Sequence, residues 1–238
     1  MIVVDELTVR FGGVIPIDRM TLTLPSGTCG LIGPNGAGKT TFFNVLSGFV
    51  RPIAGTVRAF DEDLLAMADF RRARWGVRRT FQMEQAIADL TVYDNVLLVH
   101  EQTGGPRASR RKDVLDAAAF VGLEADANRR VGTLGAAQRR LVEIARAVVG
   151  QPRLVLLDEP AAGLPEEETA HLASVIRRIP EETGALAILV DHDMSLVSAC
   201  CETTAVLDFG RLIASGPTAD VLRDELVIRA YLGTEEVA

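Results

Sequence analysis

Nine consecutive residues carry the clearest chemistry in this sequence: Gly33-Pro34-Asn35-Gly36-Ala37-Gly38-Lys39-Thr40-Thr41. Glycine, four residues, glycine, lysine and a hydroxyl residue is the spacing of a loop that cradles phosphates. The glycines let backbone N–H groups point inward around phosphate oxygens, where a side chain would obstruct the approach. Lys39 is placed to bridge the β- and γ-phosphates of a nucleoside triphosphate, and the Thr40 hydroxyl to ligate Mg²⁺. A second pair of groups, Asp158-Glu159, follows the apolar quartet Leu154-Val155-Leu156-Leu157. At a strand tip Asp158 can hold Mg²⁺, directly or through water, while Glu159 can take the proton of a water in line with the γ-phosphate. His192 closes another apolar run, so its imidazole can hydrogen-bond the γ-phosphate at the same sheet edge. Gln82 follows a strand and offers an amide to both Mg²⁺ and the attacking water. Phe11 can stack on an adenine ring or pack in the core, and the sequence supports both equally.

These groups converge only if strands and helices deliver them. Leu31-Ile32 reads as the end of a buried strand, and Thr41 to Leu46 as the first turns of a helix whose N-terminal dipole favours phosphate. Four apolar residues in a row at 154–157 fit a parallel strand covered on both faces. Further strands are expected at 3–11 before a Gly12-Gly13 turn, at 21–24 and 28–32 around Pro25-Ser26-Gly27, and at 56–59. Others are expected over 77–81, 185–190, 205–208 and 211–214. From Leu90 to about Gly150 the pattern is helical: 92–101, then 109–121 after the break Gly104-Gly105-Pro106, then 138–149 by its three-to-four spacing. Helices are also expected at 165–179, at 194–201 and in the tail. This organises 1–238 as one α/β domain, with a core of 1–82 and 150–238 and a helical insert at 83–149. Arg71-Arg72-Ala73-Arg74 and Arg78-Arg79 form a basic cluster that reads as a solvated face. His100 and His171 fall on helices without a partner and read as surface or packing residues.

Bulk composition narrows the partners. With 25 Lys and Arg against 32 Asp and Glu, the net charge is −7, which disfavours a broad nucleic-acid surface. Cys29, Cys200 and Cys201 lack metal-ligand spacing and read as reduced packing thiols in a cytosolic chain. No apolar run approaches the roughly 18–20 residues needed to span a bilayer, so a membrane role must come through a partner.

Taken in order, these motifs resemble those of the ATP-binding cassette subunits of ABC transporters over essentially the whole chain. The resemblance implies a phosphate-loop NTPase (RecA-like) core with an antiparallel β-subdomain and an inserted α-helical subdomain, using ATP and Mg²⁺. By that likeness Phe11 matches the adenine-stacking position, 33–41 the Walker A loop, Gln82 the Q-loop, Asp158 and Glu159 the Walker B pair, and His192 the switch histidine. Arg10-Phe11-Gly12-Gly13, Arg79-Thr80-Phe81-Gln82, Glu159-Pro160-Ala161-Ala162-Gly163-Leu164 and Ala230-Tyr231-Leu232-Gly233 are similar to the branched-chain amino acid importer type. This implies permease subunits docked near Gln82 to Asn95, a solute-binding protein engaged indirectly, and a place at the cytoplasmic face of the cell membrane.

Two departures stand out. The family's signature loop, Leu-Ser-Gly-Gly-Gln, binds the γ-phosphate held by the opposite cassette, but here it is Leu134-Gly135-Ala136-Ala137-Gln138. A lost hydrogen bond to a charged phosphate costs about 1.5–3 kcal/mol. A homodimer carries that defect twice and a heterodimer once, so a heterodimer is favoured. Pro165 stands where many cassettes carry a D-loop Asp. Two alternatives compete: a cassette that binds ATP with little hydrolysis, and a non-transport cassette of repair or translation. Against the latter stand the absence of a long coiled-coil insertion and the single cassette.

Overall fold

The computed structural model describes residues 1–104 and 106–232; Gly105 of the expected break and Gly233 of the terminal string lie outside the described residues. The first 24 residues form an antiparallel hairpin of β1 (Ile2–Phe11) and β2 (Val14–Leu24). β2 is longer than the sequence suggests. Arg19 adopts a left-handed conformation (φ 48°), so the buried Ile17 and Met20 lie three apart and the two-residue period is lost. β3 (Thr28–Ile32) leads through the phosphate loop into α1 (Lys39–Ser47), followed by β4 (Ala54–Ala59) and β5 (Glu62–Asp63). The hairpin, β4 and β5 make a four-stranded antiparallel sheet in the order β2-β1-β4-β5.

A short helix not foreseen from sequence, α2 (Asp69–Trp75), precedes β6 (Val77–Arg79). Three helices come next: α3 (Val92–Gln102), α4 (Arg110–Phe120) and α5 (Ala136–Val148). Thr91 caps α3 by accepting the Asp94 N–H. The chain then alternates through β7 (Leu154–Asp158), α6 (Glu166–Thr183), β8 (Leu186–Val190), α7 (Met194–Cys200), β9 (Thr203–Asp208) and β10 (Arg211–Pro217). It ends in α8 (Thr218–Val221) and α9 (Glu225–Leu232). The second sheet has the order β10-β9-β3-β8-β7-β6, parallel except for the β10 edge.

Every residue of β3, β7 and β8 is buried, as uninterrupted apolar runs in a doubly covered sheet require. Alternate side chains of β7 feed two cores. Leu154 and Leu156 join Phe42, Phe43 and Ile188 on the α1 side, while Val155 and Leu157 join Val142, Ile144 and Ile176 on the side of α5 and α6. Burial of each such side chain contributes about 1.5–3 kcal/mol. Because β3, β6, β7 and β8 run parallel, their carboxyl ends share one edge, and Gly33, Gln82, Glu159 and His192 all follow there.

His100 is a packing residue, one of its two sequence readings, but it does have a partner. It is buried within α3, and its Nε2 donates to Asp113 Oδ2 of α4 at 2.9 Å. His171 is exposed on α6. The three cysteines are free and buried. Among the described residues, no helix is long and apolar enough to cross a membrane.

Candidate active site

The phosphate loop is shaped by what surrounds it. Gly33 has φ 146°, and a Cβ there would lie 2.0 Å from the Leu207 carbonyl oxygen of β9; a Cβ on Gly38 (φ 104°) would lie 2.3 Å from the Pro16 oxygen of β2. Only glycine permits either approach. Pro34 O accepts the Ala37 N–H at 3.1 Å, which closes the turn, and buried Ala37 O accepts the Gly210 N–H at 3.1 Å. Asn35, Gly36 and Thr40 are exposed, and Pro34 and Thr41 are half-buried. Lys39 reaches back over the loop, its Nζ donating to Gly33 O at 2.5 Å and Pro34 O at 3.0 Å. Burial pushes the Lys39 ammonium down from its ordinary range, against the opposing pull of Glu159 and Asp158. From the far end of the chain, the Tyr231 hydroxyl oxygen accepts the Gly33 N–H at 2.6 Å.

Asp158 ends β7 in a buried ion pair. Arg79 Nη2 donates to its Oδ2 at 2.8 Å, and the two side chains are 7% and 9% exposed. The same guanidinium donates to Asn44 Oδ1 at 2.7 Å and lies over the rings of Phe43 and Phe81, at 5.5 and 4.9 Å. The basic cluster is therefore a solvated face only at Arg71 and Arg74, which are exposed. Arg72 is buried too, donating to the Val45, Leu46 and Met67 carbonyls and capping the C-terminus of α1. Arg78 is buried without a carboxylate partner among the described residues, and desolvation pushes it down to about 10. Arg79 and Tyr231 are the site contacts that sequence reasoning missed. Strand register held one signal: Arg79 pairs with Leu156, so Asp158, two residues on, projects from the same face.

Glu159 has φ 47°, a strained conformation for a residue with a side chain, and its N–H donates to Val190 O at 2.8 Å. This ties the turn after β7 to the end of β8. Gln82 Nε2 donates to Glu159 Oε2 at 2.9 Å, so glutamine and glutamate meet across 77 residues. The loop carrying Gln82 is in turn bound to α5. Arg140 donates to Gln82 O at 3.2 Å, Arg139 to Glu84 at 3.0 Å, and Glu143 Oε1 accepts the Gln85 N–H at 2.9 Å. His192 stands apart: its side chain is 72% exposed, with Nδ1 3.6 Å from Asp191 Oδ1, and it bonds neither Glu159 nor Gln82. Burial raises the Asp191 carboxyl above its usual range, against hydrogen bonds from the backbone of Asp193 and His192. Phe11 is 50% exposed at the hairpin corner opposite Val14, a ring left outside the core.

The stretch Gly135-Ala136-Ala137-Gln138 opens α5. Gly135 takes the N-cap position, Gly135 and Ala136 are exposed, and Ala137 and Gln138 are half-buried. Gln138 folds back, with Oε1 accepting the Gly135 N–H at 3.3 Å and Nε2 donating to Asp126 at 3.2 Å. A Cβ at Gly135 would meet only that Gln138 oxygen, at 4.0 Å, so space does not dictate the glycine. Ala137 has no positive φ that would call for glycine. First-turn amides of a helix lack intrahelical acceptors and form an anion-binding end.

Comparison with known proteins fits this geometry. A family model described as ABC transporter matches residues 17–162, and one described as branched-chain amino acid ATP-binding cassette transporter matches 211–237. The chain is 38% identical over 246 aligned positions to the high-affinity branched-chain amino acid transport ATP-binding protein LivG of Escherichia coli K12, covering 97% of this chain and 96% of that one. It is 36% identical to BraF of Pseudomonas aeruginosa, named for the same transport, with the same coverage. Among solved structures, the ADP conformation of MJ1267, an ATP-binding cassette of an ABC transporter, superposes with a TM-score of 0.87 over 98% of each chain at 24% identity, which bears on the fold. The chain belongs to the ABC transporter family, as an ATP-binding cassette and ATPase of the branched-chain amino acid type.

Proposed function

We propose that this chain hydrolyses ATP to energise import of a branched-chain amino acid or similar polar solute, through a separate permease at the cytoplasmic face of the cell membrane. The observation that carries the hydrolytic reading is the Gln82–Glu159 contact at 2.9 Å, beside a Lys39 that feels both Glu159 and Asp158. Phosphate loop, carboxylate pair and Q-loop amide thus converge on one sheet edge. Lys39 leaves the Gly33 and Pro34 carbonyls for the β- and γ-phosphates, and backbone amides and the α1 N-terminus take the remaining charge. Glu159 accepts the proton of the attacking water, with Gln82 holding its carboxylate in place. His192 serves the γ-phosphate from the end of β8, and Phe11 the adenine.

Mg²⁺ fits the residues present. The Thr40 hydroxyl, the Asp158 carboxylate and the Gln82 amide oxygen are hard oxygen donors of the kind that ion prefers. With Oδ2 engaged by Arg79, Asp158 has Oδ1 to offer the ion or its water. When bound, the ion neutralises charge on the β- and γ-phosphates.

Residues 83–149 act as an inserted helical subdomain within a single 1–238 domain, with 1–82 and 150–238 as the nucleotide-binding core. An apolar cleft of about 340 Å³, lined by Phe49, Phe70 and Phe81 with Arg79 at its side, opens just before Gln82. Met83 and Ile87 are exposed on the following loop. This supports permease docking near Gln82 to Asn95, since exposed apolar clusters mark contact surfaces. A solute-binding protein acts through the permease. The second cassette is a different chain with an intact signature, because Gly135 and Ala137 weaken the site they complete.

The test is steady-state ATP hydrolysis by the purified chain beside Glu159→Gln, then uptake of labelled leucine by vesicles holding permease and both cassettes. A chain that binds ATP but hydrolyses it only when mixed with a second cassette supports the heterodimer. Hydrolysis by the chain alone, lost in the variant, removes it. Uptake indifferent to leucine, isoleucine and valine overturns the solute assignment.

A further inference from the structure

The terminal string Ala230-Tyr231-Leu232 has no part in the chemistry above, yet its tyrosine meets the phosphate loop across 198 residues of sequence. The first residue of the loop, Gly33, is held through both of its peptide groups. Tyr231 holds the Gly33 N–H at 2.6 Å, and Lys39 holds the Gly33 carbonyl at 2.5 Å. Gly33 also rests against the Leu207 carbonyl, which limits how far it can shift toward β9. Arg229 and Ala230, on the same turn of α9, line a cavity of about 340 Å³ whose opposite wall is the loop itself, Pro34 to Ala37. Burial raises the Tyr231 phenol to about 12, so the group at Gly33 is a neutral hydroxyl at any working pH.

We propose that Tyr231 is a positioning residue for the nucleotide site, and that α9 is a latch whose closure on Gly33 and nucleotide binding at the loop favour one another. The reason lies in Lys39. In the empty loop its ammonium ties Gly33 and Pro34 together, so the loop keeps its shape even if the N–H side loosens. A bound nucleotide draws Nζ toward phosphate oxygens, and of the two holds on Gly33 the one from Tyr231 then remains. Removing the hydroxyl therefore weakens the occupied loop more than the empty one. The coupling is reciprocal: nucleotide must also tighten α9.

The decisive variant is Tyr231→Phe, which keeps the ring packed against the core and removes the hydroxyl that accepts the Gly33 N–H. With the full-length chain, the dissociation constants for ATP and ADP are measured by titration calorimetry. Amide hydrogen exchange of residues 225–232 is followed with and without ADP. In the variant the Gly33 N–H loses its partner in both states, but only the empty loop still has Lys39 on the Gly33 carbonyl to hold its shape. Both affinities should therefore fall, by about 5- to 100-fold where the occupied loop bears the full cost. ADP should slow exchange of α9 in the parent chain and no longer do so in the variant. Affinities unchanged by the substitution overturn the proposal. So does a variant of lower affinity in a chain whose α9 exchange never responded to ADP, because a merely structural tyrosine has that signature.

Discussion

The two ends of this cassette that address phosphate are built in opposite ways. Around the Walker loop the polar groups are cross-braced within the chain: Lys39 to Gly33 and Pro34, Tyr231 to Gly33, Arg79 to Asp158, Gln82 to Glu159. At the signature end, Gly135 and Ala136 are exposed, and the braces are local: Gln138 folds onto its own helix cap and Asp126, and Arg139 donates to the Leu134 carbonyl at 2.8 Å. Buried polar groups must be paired to avoid a cost of about 1–3 kcal/mol each, whereas exposed helix-end amides stay wet until an anion arrives. One half is thus finished within the fold and the other leaves its helix-end amides open, as the proposed pairing with a second cassette requires.

The sharpest way to break this comparison is at the braced end. Glu159→Gln should lower hydrolysis about 10²- to 10⁴-fold while leaving nucleotide affinity within about twofold, measured as turnover beside a binding titration. Arg79→Met leaves Asp158 buried and unpaired, and should cost about 3–5 kcal/mol of stability in a urea melt. A loss below 1 kcal/mol would mean that water reaches Asp158 and the brace is not what it seems.

At the open end, the double change Gly135→Ser with Ala137→Gly should alter stability by less than about 1 kcal/mol, since it touches only an exposed cap and first turn. It should raise turnover of the assembled pair about tenfold, by returning a hydroxyl and a close backbone approach to the phosphate. Unchanged turnover would show that the helix amides alone suffice.

The smallest effect lies in the α3–α4 pair. Burial pushes the Asp113 carboxyl up, but hydrogen bonds from Ser109 and His100 outweigh it, and the group rests below its ordinary range. A folded-state value below the unfolded one gives stability that is present above about pH 4 and lost as pH falls through the lower value. Asp113→Asn should flatten the acid limb of the Tm profile there, by less than about 1 kcal/mol.

Much of this was legible in the sequence because it is local. The phosphate-loop spacing, the apolar quartet before Asp158-Glu159 and the periodicity of α5 each express one element's own geometry, and each element stands within a few residues of its expected place. Two readings failed where local pattern and tertiary partner disagree. The first half of β2 was hidden by the bulge at Arg19, which shifts its buried residues out of period. The arginines of 71–79 looked like a solvated face because charge is normally exposed, which holds for Arg71 and Arg74, but the side chains of Arg72, Arg78 and Arg79 are buried.

What the sequence determined by itself was the inventory: a loop whose turns call for glycine, a lysine and hydroxyl of the kinds that suit phosphate and metal, and two carboxylates at a strand tip. The tertiary structure decided which of those groups are held and by what. Asp158 finds Arg79 at 79 residues' distance, Glu159 finds Gln82 at 77, and Gly33 finds Tyr231 at 198. The physical reason is that a buried charge or N–H is stable only beside its partner. Parallel register and the packing of α9 choose that partner, and neither is written in any window of neighbouring residues.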